Sequence, residues 1–265
     1  EADRAWQRSE ERGLTDELSA LRERHNRAVA YISHVLRGSL TNILGFSKLL
    51  LRRVDGPLNE TQTAGVLTIQ QAGGRLLTFV NALAELARLE AGTADRRPAD
   101  IDVSALLREI ASERELPGAV NVKLEEPAEA LTVHADRGHV RLIVSTLVDQ
   151  AVSRTGHGDV VLAARRGGDV IDVEVAHPGR RIAVEELPNL FEPFPVRDAS
   201  PSFASDGGRV QLAVARSLAI LNGGTLGADS GHDDLGVRFT LRLPAMSGSA
   251  PRGFAGQVIQ QISSS

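Results

Sequence analysis

The 265 residues contain no cysteine. A disulfide framework and a thiolate metal site are excluded, and the chain suits a reducing compartment, so a cytoplasmic location is expected. Aromatic residues make up only 3%, which argues against stacking platforms for single-stranded nucleic acid. Neither sign of charge dominates: 30 Lys and Arg face 34 Asp and Glu, a formal net charge of −4. Such a chain has no general electrostatic attraction to nucleic acid or to an acidic membrane surface. No run of eighteen apolar residues occurs, so no membrane span is expected, and no signal peptide is visible. The first residue is Glu1, not Met, which suggests a segment of a longer protein. What is present is an ordinary globular composition, 42% hydrophobic and 24% charged, at a length that suits one large or two modest domains.

The N-terminal third reads as helix. Leu14, Leu18, Leu21, His25, Ala28, Ile32 and Val35 are spaced 4-3-4-3-4-3, a heptad seam of the kind that pairs helices. Residues 1–27 are therefore expected to be a coiled-coil signalling helix. From Ile32 the apolar positions broaden through Leu36, Leu40, Ile43 and Leu50. A broad stripe suits a four-helix bundle better than a two-stranded seam. Asp55-Gly56-Pro57 punctuates the chain, Asn59 is a candidate cap, and a second helix carries Val66, Ile69, Leu76, Val80, Leu83, Leu86 and Leu89 to an end near Ala91-Gly92. A hairpin this thin has little core of its own, and residues 28–92 predict a dimeric four-helix bundle.

After Gly92 the texture changes. Thr93 to Pro98 reads as a linker, and Ser104 as the cap of a short helix, Ala105 to Ala111. Strand-like runs follow at 120–124, 131–134, 160–164, 170–176, 224–228 and 237–243, with helices at 136–154, 184–190 and 210–221 and a hairpin turn at Gly167-Gly168. Interleaved strands and helices predict a two-layer α/β sandwich over 99–244. Residues 245–265 are small and polar and are expected to be a disordered tail.

Several segments resemble, in order, those of sensor histidine kinases. "YISHVLRGSLTNILGFSKLLL" is similar to the phosphoacceptor helix, and "GPLNETQTAGVLTIQQAGGRLLTFVNALAELARLEAG" to the second helix of the dimerisation hairpin. "HADRGHVRLIVSTLVDQAV", "VEVAHPGRRI", "LPNLFEPF", "GGRVQLAVARSLAILNGGTLGADS" and "GVRFTLRLP" follow in the order of the family's ATP-binding domain. The resemblance covers roughly residues 28–244. It implies that His34 is the phosphoacceptor histidine or its relic. A phosphoacceptor needs an exposed, neutral imidazole nitrogen, and His34 lies off the Ile32–Val35 seam. His134, His139 and His232 read as ordinary surface histidines. The family's acidic neighbour is replaced by Val35, a loss that typically costs about 10²–10⁴ in rate. Gly38 stands for the family's polar residue four places on, and Ser39 for its helix-bending proline.

The nucleotide positions depart from the family together. The magnesium-ligating asparagine aligns with Gln150 and an earlier asparagine with Thr146. Glutamine moves the amide by one methylene, which misplaces a metal held in tight octahedral geometry. The adenine-reading aspartate aligns with His177, which accepts only when neutral and in the right tautomer. Gly179 is kept, but the second glycine of that box is Arg181. In the phosphate loop Gly207 and Gly208 survive, while the next two glycines are Arg209 and Gln211. Glycine is used there because the backbone must approach phosphates closely. Cations such as Arg181 and Arg209 can also hold phosphates.

No bound cofactor is therefore expected; ATP and magnesium enter only if the divergent site is active. Three functions follow, in order: a pseudokinase that binds a response regulator or partner kinase without ATP; a histidine phosphotransferase that relays phosphate through His34 between receiver domains; and a divergent but active autokinase. The expected partners are a second copy of the chain and a receiver domain or partner kinase. Candidate receiver contacts on the first helix are Leu36, Arg37, Leu40 and Ile43, although each of the apolar three, taken singly, reads rather as bundle core. Pro195–Gly208, the family's lid, is expected not to close over nucleotide and to be mobile or pinned by Phe203.

Overall fold

In the computed structural model the described residues are 2–54, 56–113, 120–127, 129–194, 206–230 and 236–246; in addition, the side chains of 2–19, 21–23, 25, 206 and 207 lie outside the description. The chain forms two compact units that divide at Asp95 and Arg96.

The first unit is a helical hairpin. Helix α1 runs unbroken over Ala2–Leu51 and α2 over Glu60–Glu90. No break separates 1–27 from 28–92, so that expected boundary is not marked in secondary structure. The seam residues Leu14, Leu18, Leu21 and His25 lie outside the described side chains. Gly56 (φ 122°) lies in the turn between the helices. Asn59 then caps α2 in a reciprocal box: its side chain accepts from the Gln62 N–H at 2.8 Å, and the Gln62 side chain accepts from the Asn59 N–H at 3.0 Å. Such a cap is worth about 1 kcal/mol. Gly92, with φ 66°, follows the end of α2 where a left-handed residue is needed. The helices pack through Ser33, Leu40 and Ser47 of α1 and Gly73, Val80, Leu86 and Ala87 of α2. A Cβ on Gly73 would press on Leu44 at 3.1 Å, so the glycine sets how closely the helices approach. Ile32, Val35, Leu36, Ile43 and Phe46 face outward, as do Ile69 and Leu76. The expected seam is thus not the surface that packs α1 on α2.

The second unit is a two-layer α/β sandwich. Its elements are β1 (Pro98–Asp102), α3 (Val103–Ser112), β2 (Val120–Glu125), β3 (Thr132–Asp136), α4 (Arg137–Arg154), β4 (Gly158–Gly167), β5 (Val170–His177), α5 (Asp206–Leu221), β6 (Thr225–Ser230) and β7 (Val237–Pro244). Five strands form one sheet in the order β2-β4-β5-β7-β6, with β2 parallel to β4 and the rest antiparallel. β1 and β3 form a separate antiparallel pair. Strand alternation puts Val160, Leu162, Ile171, Val173, Phe239 and Leu241 into one core with Leu106, Ile110, Val140, Ile143 and Leu147 of the helices, all at most 1% exposed. Charged pairs occupy partly exposed positions along the strands: Asp172 with Arg242 at 2.7 Å, Lys123 with Asp159 at 2.5 Å, Arg165 with Glu125 at 3.1 Å. That alternation is what a half-buried sheet requires.

Six local expectations are corrected. The stretch read as linker ends in strand β1, because Pro98–Asp102 pairs with β3. The cap of α3 is Asp102, whose carboxylate accepts from the Ala105 N–H at 3.0 Å, and Ser104 is buried. Residues 184–190 are turns, not a helix. Helix α5 begins four residues before Val210, at Asp206. Ala245 and Met246 are not tail: they bond to Asp169 and Thr132, and Ala245 bridges Val133. His139 is half-buried, its Nδ1 3.2 Å from the Asn222 amide. Residues 195–205, with Phe203, and residues 231–235, with His232, lie outside the description, as do 247–265.

Candidate functional site

His34 sits mid-helix on α1 with its side chain exposed. Val35, at the position of the family's acid, is 49% exposed and offers no proton acceptor. The helix continues through Gly38 and Ser39; the Ser39 hydroxyl donates to the Val35 carbonyl at 3.3 Å and the Thr41 hydroxyl to the Arg37 carbonyl at 2.8 Å. Arg37, one turn on from His34, donates through Nε to Asn81 Oδ1 of α2 at 2.8 Å. Of the candidate receiver contacts, Leu36, Arg37 and Ile43 are exposed. Leu40 is 6% exposed and packs within the hairpin, which removes it from any docking face. Antiparallel packing with Leu44 opposite Gly73 is what brings Asn81 to Arg37.

In the second unit some of the residues aligned with the nucleotide boxes contact one another. Gln150, on the buried side of α4, donates from Nε2 to Gln211 Oε1 of α5 at 3.3 Å. Thr146, one turn earlier, is buried. Gly207, Gly208, Arg209 and Gln211 all lie in the first turns of α5 rather than in an open loop. Arg209 is 4% exposed and its guanidinium donates to the Asn189 carbonyl at 3.1 Å. His177 ends β5 fully buried. Its Nδ1 accepts from the Gly179 N–H at 3.1 Å, which requires an unprotonated Nδ1. Burial, and then the nearby Arg154 cation, push its pKa down to about 4. Gly179 fits because any Cβ there would collide with the Arg154 carbonyl. Arg181 is exposed and turned to solvent. The structure therefore brings Gln150 to Gln211 and Gly179 to His177, and leaves Arg181 outside.

Three participants escaped sequence reasoning. Arg154 lies one turn beyond Gln150 on α4, so helical spacing alone could have found it; burial and Arg180 lower its pKa, and Glu186 opposes the change. Asn189, which holds Arg209 through a backbone carbonyl, carries no side-chain signal. Asn81 is one polar residue on a long helix, and only the register with α1 singles it out.

A model of the His kinase A (phospho-acceptor) domain matches residues 24–92. A model of the histidine kinase-, DNA gyrase B- and HSP90-like ATPase matches residues 135–247. The chain belongs to the sensor histidine kinase family. Among curated relatives of this family, the histidine protein kinase DivJ of Caulobacter vibrioides is 30% identical over 238 residues, covering 87% of the chain and 39% of DivJ. The circadian input-output histidine kinase CikA of Synechococcus elongatus is 31% identical over 224 residues, covering 82% of the chain and 29% of CikA. The sensor protein DivL of Caulobacter vibrioides is 29% identical over 239 residues, covering 87% and 30%. Among solved structures, full-length ShkA in complex with AMPPNP gives a TM-score of 0.65 at 27% identity over 85% of this chain and 47% of that one. The chain thus spans 29–47% of the length of these relatives. Both halves of the expected architecture, helical hairpin and α/β sandwich, are those of the family. Among the described residues no helix is long and apolar enough to cross a membrane.

Proposed function

We propose that this chain is a two-component output module that works by binding a response regulator or a partner kinase, with ordinary use of ATP lost. The observation that supports the reading is that polar groups aligned with the nucleotide ligands are engaged within the protein. The Gln150 amide is engaged by Gln211, the Arg209 guanidinium by the Asn189 carbonyl, and the Nδ1 lone pair of His177 by the Gly179 N–H. This donor set does not suit a magnesium nucleotide. The amide that would ligate the metal is committed elsewhere, and no carboxylate stands at position 177 to accept from an adenine amino group. Two long side chains occupy the helix turns where phosphates need bare backbone. The similar ShkA was solved with AMPPNP, so the direct test is a calorimetric titration of this chain with ATP and magnesium. The expected result is no measurable heat; micromolar affinity would restore the divergent autokinase.

Exposure of His34 favours a second reading, a histidine phosphotransferase. Val35 deprives the imidazole of a base, which harms attack on ATP more than attack on an already activated receiver acyl phosphate. Acid-labile label on His34 from a phosphorylated receiver, absent in His34→Ala, supports the relay; no label supports binding alone. The outward apolar positions Ile32, Leu36, Ile43, Phe46, Ile69 and Leu76 support pairing of two hairpins into a four-helix bundle.

A further inference from the structure

We infer that Arg37, held in place by Asn81, is a clamp for the phosphoryl group that arrives at His34. The inference rests on the relay reading, in which His34 is phosphorylated. Arg37 is three residues beyond His34, so their Cβ atoms are neighbours about 5–6 Å apart on one helix face. Helical side chains lean towards the N-terminus, which lays Arg37 over the turn that carries His34. Its Nε–H is spent on Asn81 Oδ1 at 2.8 Å. Of the five guanidinium N–H groups, the four on the terminal nitrogens have no partner among the described residues. No acidic residue occurs between Asn26 and Val54 to neutralise them, and Glu85 of α2 pairs with Arg88 at 3.5 Å. An arginine on a flexible stem loses rotamer entropy when it grips an anion; one already pinned by a second helix has lost part of it beforehand. The chemistry it fits is a tetrahedral dianion with paired oxygens.

The step it assists is simple displacement. A ring nitrogen lone pair of neutral His34 forms the N–P bond, and the donor's bond to phosphorus breaks with its electron pair. From a receiver, the aspartate carboxylate leaves and the second ring nitrogen releases its proton to solvent. With phosphoramidate as a small donor, ammonia leaves and takes up that ring proton as ammonium. In both cases the guanidinium holds the equatorial oxygens as charge shifts.

Phosphoramidate makes the test independent of any cognate receiver. The full chain and its His34→Ala, Arg37→Ala, Arg37→Lys and Asn81→Ala variants are incubated with it, and phosphohistidine is followed by phosphorus NMR, with His34→Ala as background. Arg37→Ala is expected to slow labelling of His34 roughly 10- to 100-fold, the worth of a charge-assisted hydrogen bond, and to raise the half-saturating donor concentration. Arg37→Lys and added methylguanidine should each restore much of the rate, and Asn81→Ala should cost about threefold. Wild-type labelling in Arg37→Ala overturns the clamp and leaves the relay standing. Loss in Arg37→Ala without rescue by lysine or methylguanidine assigns Arg37 a structural role and also overturns it. Absence of His34 label in the unmodified chain overturns both clamp and relay.

Discussion

Protonation of His177 should destabilise the α/β unit from within as the pH falls. The imidazole is wholly buried, its Nδ1 accepts the Gly179 N–H, and Arg154 lies close enough to oppose a second positive charge. These hold its folded pKa at about 4, against 6.5 for an ordinary histidine. Between those values the unfolded chain binds a proton that the folded chain refuses. The contribution is therefore complete above about pH 6.5 and is lost progressively as the pH falls towards 4. From pH 7 to pH 5 the two pKa values imply a loss of about 2 kcal/mol, a large part of a typical domain stability of about 5–15 kcal/mol. Asp136 and Asp159 are also shifted, but downward from 3.8, Asp136 by backbone N–H groups and His139 against its burial, and Asp159 chiefly by Lys123. Their stabilising contributions are present above pH 3.8 and decline only below it, outside the window. The assay is urea denaturation followed by far-UV circular dichroism at pH 7, 6 and 5, comparing the transition of the second unit in the unmodified chain and in His177→Gln. Glutamine cannot titrate, so its stability should be nearly level over that range while the unmodified chain loses about 2 kcal/mol. Parallel pH slopes in the two proteins would refute the reasoning, and so would an imidazole NMR titration of His177 with a midpoint near 6.5.

Other perturbations have equally direct readouts. Replacing Phe46, which is 70% exposed on the open face of α1, by glutamate should shift the chain towards monomer by light scattering at micromolar concentration, whereas the unmodified chain is expected to scatter as a dimer. Gly224→Ala should destabilise the second unit by more than about 1 kcal/mol in denaturation, because the added Cβ meets the Arg242 carbonyl and Leu243. Leu147→Ala, at a fully buried position of α4, should cost about 2–5 kcal/mol by the same measurement. Returning the family's residues together, Gln150→Asn, His177→Asp, Arg209→Gly and Gln211→Gly, should create calorimetrically measurable binding of ATP with magnesium where the unmodified chain gives none.

Sequence reasoning reached what depends on periodicity and local chemistry. Asn59 as a cap, Gly92 as a helix stop and Gly168 in the hairpin (φ 68°) were legible because each residue type answers a local backbone demand. It failed where tertiary pairing overrode local signals. Pro98–Asp102 has no strand pattern of its own, and only β3 alongside makes it a strand. Residues 184–190 have helical composition, yet prolines at 188 and 193 bracket their end and the chain settles into turns. The positions that replace the nucleotide ligands could be found one at a time by alignment to the family, but their contacts could not. The Gln150–Gln211 bond joins two helices through residues 61 apart in sequence, and the Arg209 partner is a backbone carbonyl.

The surviving glycines bear on how the site should be interpreted. Gly179 belongs to a box that the family uses for adenine, so its presence could be taken as a sign of retained binding. Its surroundings give another reason. A Cβ at Gly179 would run into the Arg154 carbonyl and the His177 ring, and a Cβ at Gly236 would run into the Gly179 carbonyl. The end of α4, the loop after β5 and the start of β7 therefore meet backbone to backbone, an approach that only glycine permits. Gly179 is required by the scaffold whether or not a nucleotide ever enters. Arg181, two residues on, is exposed and carries no such constraint, and there the side chain has grown. At the buried positions Gln150, His177 and Arg209 the side chains are instead engaged within the protein, by Gln211, Gly179 and Asn189. A sandwich preserved in this way still presents a folded surface to a partner, as a binding role requires.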